Sequence, residues 1–257
     1  MAQRQSLLNN SRFYILCGSL LLSGIIFAWL RITIANDQLF YIRSQQIFGL
    51  LCIVFWYGAM IISPLGYVIG KQRMKHIEFS RRAIGVSAFY FAVLHGGIAL
   101  WAQLGGLSQL QYLPELFRWS LVAGAGALLI LGVMAATSFD VVVKYMTPKR
   151  WKLLHRFVYG AGILVIIHIW SVGTHMAYSG VQIAAFVAIV VLLGLEFHRL
   201  ARVLNDKYFH LAKTEAITIF ITMWALGIAL VLAIPALIQN YHSAHESHAS
   251  LHSKESQ

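Results

Sequence analysis

The sequence is poor in charge. Of its 257 residues 11% are charged and only 9 are Asp or Glu, whereas 59% are hydrophobic. A soluble domain of this size carries about a quarter of its residues as charges, so a soluble fold is excluded and the chain reads as a membrane protein with several spans. Cysteine is nearly absent: Cys17 and Cys52 both lie inside apolar runs. That argues against a disulfide framework or a thiolate metal site and for small buried hydrophobes. Gly-rich phosphate-binding motifs in a strand-helix setting are also missing, so a nucleotide-reducing domain is expected on a separate protein. The net charge of +11 does not indicate nucleic acid, because the basic residues sit in short loops beside apolar segments, where they set orientation in a bilayer.

Seven apolar segments are present. They run from about Phe13 to Ile34, Gln46 to Gly70, Arg82 to Leu104, Leu116 to Thr137, Trp151 to Met176, Val181 to His198 and Glu215 to Ile238. Each is long enough to span, so the expected fold is all-α, a polytopic bundle of about seven transmembrane helices. The first is read as uncleaved, since no small-residue cleavage site follows it. Ser63-Pro64 is expected to kink or end the second. The stretch KQRMKHIEFSRR is expected to be a basic loop, and SFDVVVKYMTPKRWK another. With the amino terminus inside, only Arg31, Arg43, Arg118 and Lys254 of the 20 Lys and Arg residues fall outside, which predicts an N-in, C-out topology. The expected divisions are an inner amino terminus at 1–12, a six-helix domain at 13–214, an additional helix at 215–239 and an outer tail at 240–257.

The fifth segment carries His155, His168 and His175, and the third carries His95. Imidazole in a bilayer is costly without a partner, and neutral imidazole is a good ligand for haem iron. At about 1.5 Å per residue, His95 lies about 20 Å from Arg82 and His168 about 24 Å beyond Lys152, at similar depth on different helices. These two make the best-matched axial pair. His155 falls near the inner surface, about 5 Å into its helix, and His175 at the outer boundary. On an ideal helix His155 and His168 are about 220° apart, so two stacked haems do not follow from regular geometry. The position 13 before His95 is Arg82, which is no ordinary iron ligand. Phe89, Tyr90, Phe91, Trp101 and Trp170 either line a porphyrin or pack as ordinary membrane core. Arg31, Arg43 and Arg118 are candidate partners for haem propionates. The tail bears His242, His245, His248 and His252, a spacing suited to a divalent or cupric ion or simply to a disordered polar tail.

The segments RSQQIFGLL, RRAIGVSAFYFAVLHGG and TSFDVVVKYMTPKRWKLLHRFVYGAGILVIIHIWSV resemble the ferric-reductase-like transmembrane family, most of all its MsrQ branch of bacterial haem-binding membrane proteins. The resemblance covers about residues 40 to 200. It implies a helical bundle in the bacterial inner membrane that holds haem b, one or two per chain, and passes electrons outward. Its haem-associated histidines fall on His95, His155 and His168, while Arg81 and Arg82 stand where an inner ligand would be. That departure admits a flavin such as FMN at the inner surface, its phosphate held by basic residues there. The implied donor is a cytoplasmic flavin, flavin reductase or quinone. The implied acceptor is a periplasmic redox protein, as in methionine-sulfoxide reductase systems with a molybdenum enzyme. A direct ferric or cupric reductase is the alternative within the same chemistry. A non-redox transporter or proton channel is the alternative outside it, since these also carry intramembrane histidines.

Overall fold

The computed structural model describes residues 2–205, 214–215, 217–229 and 232–233. Among these residues all regular structure is helical, and six helical segments are long and apolar enough to cross a membrane. A further helix, Ile217–Ala229, is apolar but shorter. The rest of the expected seventh span and the His-rich tail lie outside the described residues. The chain divides into two compact units, Met1–Ile166 and Ile167–Gln257.

In the first unit, α1 (Ala2–Thr33) is helical from Ala2, ahead of its apolar, membrane-length part at Ser11–Thr33. Its partner α2 (Asp37–Ile69) starts nine residues before the expected Gln46. Asn36 caps it, its side chain accepting the Leu39 N–H at 2.9 Å. Pro64 does not end α2, which runs on to Ile69 with Pro64 fully buried inside it. What ends the helix is Gly70. With φ at 110°, a conformation that favours glycine, it donates its N–H to Gly66 O and turns the chain into α3.

The expected basic loop is therefore helix: α3 spans Lys71–Ile98 and continues as a π-helical segment through Ala99–Gln103. KQRMKHIEFSRR has no Gly or Pro and is rich in good helix formers, so it extends the span toward the aqueous side instead of looping. Arg82 thus lies within α3 and not at its start. α4 (Glu115–Ala136) follows a short 3-10 turn and matches the expected segment. The second basic connection also folds, into α5 (Asp140–Tyr145) and α6 (Pro148–Leu154). α7 (Phe157–Val172) then begins after a break at His155–Arg156, so Trp151–Met176 is not one helix.

Aromatic rings and hydroxyls hold α1, α2 and α3 together. Phe27 contacts Phe48 at 4.8 Å between centroids, Phe48 stacks toward Phe91 at 6.1 Å, and Phe55 meets Phe91 at 5.2 Å. Phe48 and Phe91 are both 0% exposed, which assigns Phe91 to packing and not to a porphyrin. Between α1 and α3, the Ser19 and Ser87 hydroxyls bond at 2.8 Å and Ser23 bonds the Tyr90 hydroxyl at 2.7 Å. Such pairs satisfy polar groups where no water competes.

In the second unit, α8 (Ser179–Leu204) is the main helix, and Gln182 donates to the Met176 carbonyl at 2.6 Å. Trp224 donates to Val190 O at 3.2 Å, fixing the short apolar helix against α8.

Candidate functional site

His95 sits on α3 one turn beyond the buried Phe91 and faces α2. Its Nδ1 lies 3.0 Å from the carbonyl of Gln45. A carbonyl only accepts, so Nδ1 carries the proton and Nε2 carries the lone pair. The ring reaches this carbonyl because Gly49 has no side chain: a methyl there would stand 2.8 Å from Nδ1 and 3.1 Å from Cε1. Gln45 is held in turn by Gln103 of the π-helical segment, which donates to its side-chain oxygen. Anchoring of an imidazole through one nitrogen to a backbone carbonyl is common among metal-ligating histidines. The donor set at His95 thus fits haem iron.

His155 has a different setting. It caps α6 at the break, its ring stacked on Trp151 with centroids 4.0 Å apart. Its Nε2 lies 3.4 Å from Thr137 Oγ1, and Trp151 Nε1 donates to the Thr137 carbonyl at 3.1 Å. The break removes the regular-helix premise behind the 220° separation from His168. Arg81 and Arg82 are close enough to act on the His155 ring electrostatically, so three of the expected site residues do share one neighbourhood.

Both of these arginines are committed within the protein. Arg81 Nε donates to the Ala59 carbonyl at 2.8 Å, tying α3 to α2. Arg82 pairs with Asp140 at 2.9 Å and reaches the Ser138 carbonyl at 3.3 Å. Arg12 of α1 pairs with the same carboxylate at 3.1 Å and donates to Phe79 O at 3.2 Å. A cavity of about 110 Å³ lies beside this cluster. The exposed cations at this end, among the described residues, include Lys71, Arg73, Lys144, Lys149, Arg150, Lys152 and Arg156.

His168 is half-buried on α7, within the second unit. His175 is exposed in a 3-10 turn, Thr174–Ala177, beyond the end of the helix. Of the aromatic candidates, Phe89 lies against Gly132 of α4, where a methyl would come within 3.2 Å of its ring, and Tyr90 is bonded to Ser23. Trp101 is 70% exposed beside an open groove of about 430 Å³ shared with Tyr41. Arg31 pairs with Asp37 and Arg43 donates to Gln46 at 3.0 Å, while Arg118 is exposed.

Sequence reading overlooked Gln45, Gly49 and Asp140. Gly49 had a visible signal, a glycine inside an apolar helix, which marks close approach. Trp56 was also overlooked: its ring covers Gly162 at 3.0 Å from a would-be methyl, and its buried Nε1 has no hydrogen-bond partner among the described residues. On α8, Glu196 is 8% exposed and paired with Arg199 at 2.6 Å, a buried ion pair whose signal was a carboxylate in an apolar run.

Residues 45–167 match the family model described as ferric reductase like transmembrane component. The chain is 32% identical over 138 residues to the protein-methionine-sulfoxide reductase heme-binding subunit MsrQ of Bordetella parapertussis, covering 53% of this chain and 63% of that protein. It is 30% identical over 165 residues to the MsrQ of Ralstonia nicotianae, covering 63% and 71%. It is 34% identical over 130 residues to the magnetosome protein MamZ of Magnetospirillum gryphiswaldense, covering 49% of this chain and 19% of that much longer protein. The chain therefore spans a little under two thirds of its Bordetella relatives. No solved structure matches it.

Proposed function

The chain belongs to the ferric-reductase-like transmembrane family, and from that premise we propose that it is an MsrQ-like subunit holding haem b between His95 and His168 and relaying electrons across the membrane. The six membrane-length helices among its described residues and its family make it a multi-pass protein of the bacterial inner membrane.

The observation that carries the reading is the His95 imidazole, bonded through Nδ1 to the Gln45 carbonyl and seated over Gly49. Bound haem b supplies a one-electron carrier that cycles between ferric and ferrous iron. His95 and His168 would each hold the haem iron through one imidazole nitrogen. The Gln45 carbonyl holds the His95 proton away from the atom that would ligate iron. The amino terminus faces the cytoplasm and the His-rich tail the periplasm, as the distribution of Lys and Arg supports. Electrons enter from a cytoplasmic flavin, flavin reductase or quinone and leave to a periplasmic redox protein, such as a molybdenum-containing methionine-sulfoxide reductase. The exposed cations Lys144, Lys149, Arg150 and Lys152 attract a flavin phosphate or an acidic donor, while Arg82 is already paired with Asp140.

The test is a visible spectrum of the purified protein with its haem content. A Soret band that shifts on reduction, lost in both His95→Ala and His168→Ala and kept in His175→Ala, supports the reading. Full haem content with a low-spin spectrum in His168→Ala sinks the pairing, and no Soret band in the unaltered protein sinks the haem assignment.

A further inference from the structure

We propose that Gly49 and the Gln45 carbonyl form a positioning device on α2 that selects Nε2 of His95 as the iron ligand and sets the electron-donating strength of that imidazole. The proposal rests on haem binding at His95.

Two observations of the fold lead to it. A ring that must lie flat against α2 needs a position without Cβ, and Gly49 is that position, with Nδ1 only 2.8 Å from where a methyl would stand. The nitrogen that a methyl would strike is also the one that bonds Gln45 O at 3.0 Å. Closeness and hydrogen bond are therefore one arrangement: without the glycine the ring is pushed off the carbonyl. Other glycines of α2 do not share this role. A methyl at Gly58 would meet only Ile84 Cγ2 at 3.8 Å, an ordinary contact.

The electronic consequence follows from the direction of the bond. Donation from Nδ1–H to a carbonyl places more electron density on Nε2, which stabilises ferric iron relative to ferrous iron and lowers the reduction potential. The hold on the carbonyl extends to the π-helical segment, since Gln103 donates to the Gln45 side chain. Such segments often mark functional positions in helices. Here the π segment begins four residues after His95, at Ala99.

The experiment compares Gly49→Ala with Gly58→Ala in the full chain, reading haem content, low-temperature electron paramagnetic resonance and midpoint potential. Each variant gains helix propensity equally, so a difference between them isolates the ring. Expected is a higher midpoint potential and an altered low-spin signal in Gly49→Ala, with Gly58→Ala unchanged from the parent. A second arm removes the ring itself: in His95→Gly, added imidazole should restore the low-spin spectrum at about tenfold lower concentration than 1-methylimidazole, which lacks the donor. That arm decides the matter where Gly49→Ala fails to assemble. Equal potentials in the two glycine variants, or equal restoration by the two imidazoles, overturns the positioning role. Absence of haem from the unaltered protein overturns the underlying functional reading instead.

Discussion

His95 and His155 belong to the same unit, one within α3 and one at the junction of α6 and α7, and their surroundings differ in kind. Around His95 the polar contact comes from backbone, a carbonyl made reachable by the lack of a side chain at Gly49. Around His155 the contacts are side chains: a stacked Trp151 ring and the Thr137 hydroxyl, at the point where α6 stops. A backbone carbonyl orients a ring through one nitrogen, and on the proposed reading the other would meet the iron. A stacked indole covers one face of the ring and uses the imidazole as packing. On the proposed reading, the first setting suits an iron ligand and the second a helix junction.

The largest expected effect tests that division directly. His95→Ala should remove essentially all bound haem, whereas His155→Ala should retain about one haem per chain with an unaltered low-spin spectrum, as measured by haemochromogen assay against protein concentration. A parent ratio near two, falling to one in His155→Ala, would erase the distinction and give the second histidine an iron of its own. Next in size is overpacking beside the junction. Gly162→Ala would drive a methyl to 3.0 Å from Trp56, and should lower unfolding free energy by about 1–3 kcal/mol in detergent melts. Trp151→Ala removes the stacked ring from His155 and should cost roughly 0.5–1.5 kcal/mol beyond lost area while sparing the haem spectrum. A vanished Soret band in that variant would place Trp151 in the cofactor site. The smallest effect concerns the exposed cations: haem reduction by a reduced flavin phosphate should slow severalfold between low and physiological salt, because exposed charges are screened beyond about 8 Å there. Salt-independent rates would remove their steering role.

Much of this was legible beforehand. Apolar length alone located α1, α4 and α8, and His95 and His168 stood out because imidazole is rare in such runs. What stayed hidden depended on neighbours in space. Charge made Lys71–Arg82 look like a loop, but nothing in that stretch breaks a helix and Gly70 supplies the turn. Ser63-Pro64 looked like a stop, but buried neighbours carry α2 past it. Arg81 and Arg82 read as candidates for a phosphate because Asp140 and the Ala59 carbonyl lie far away in sequence. Gly49 gave no hint of which ring it served, since a glycine reveals closeness but not its partner.

Asp140 bonds two guanidiniums that precede it by 128 and 58 residues. During synthesis α1 and α3 therefore enter the membrane before their shared counter-ion exists. Until residue 140 emerges, Arg12 and Arg82 meet as like charges and keep the two helix ends apart. The carboxylate thus acts as a late fastener. It ties α1 to α3 only once the residues that follow α4 are made, so the order of assembly is written into the position of one acid.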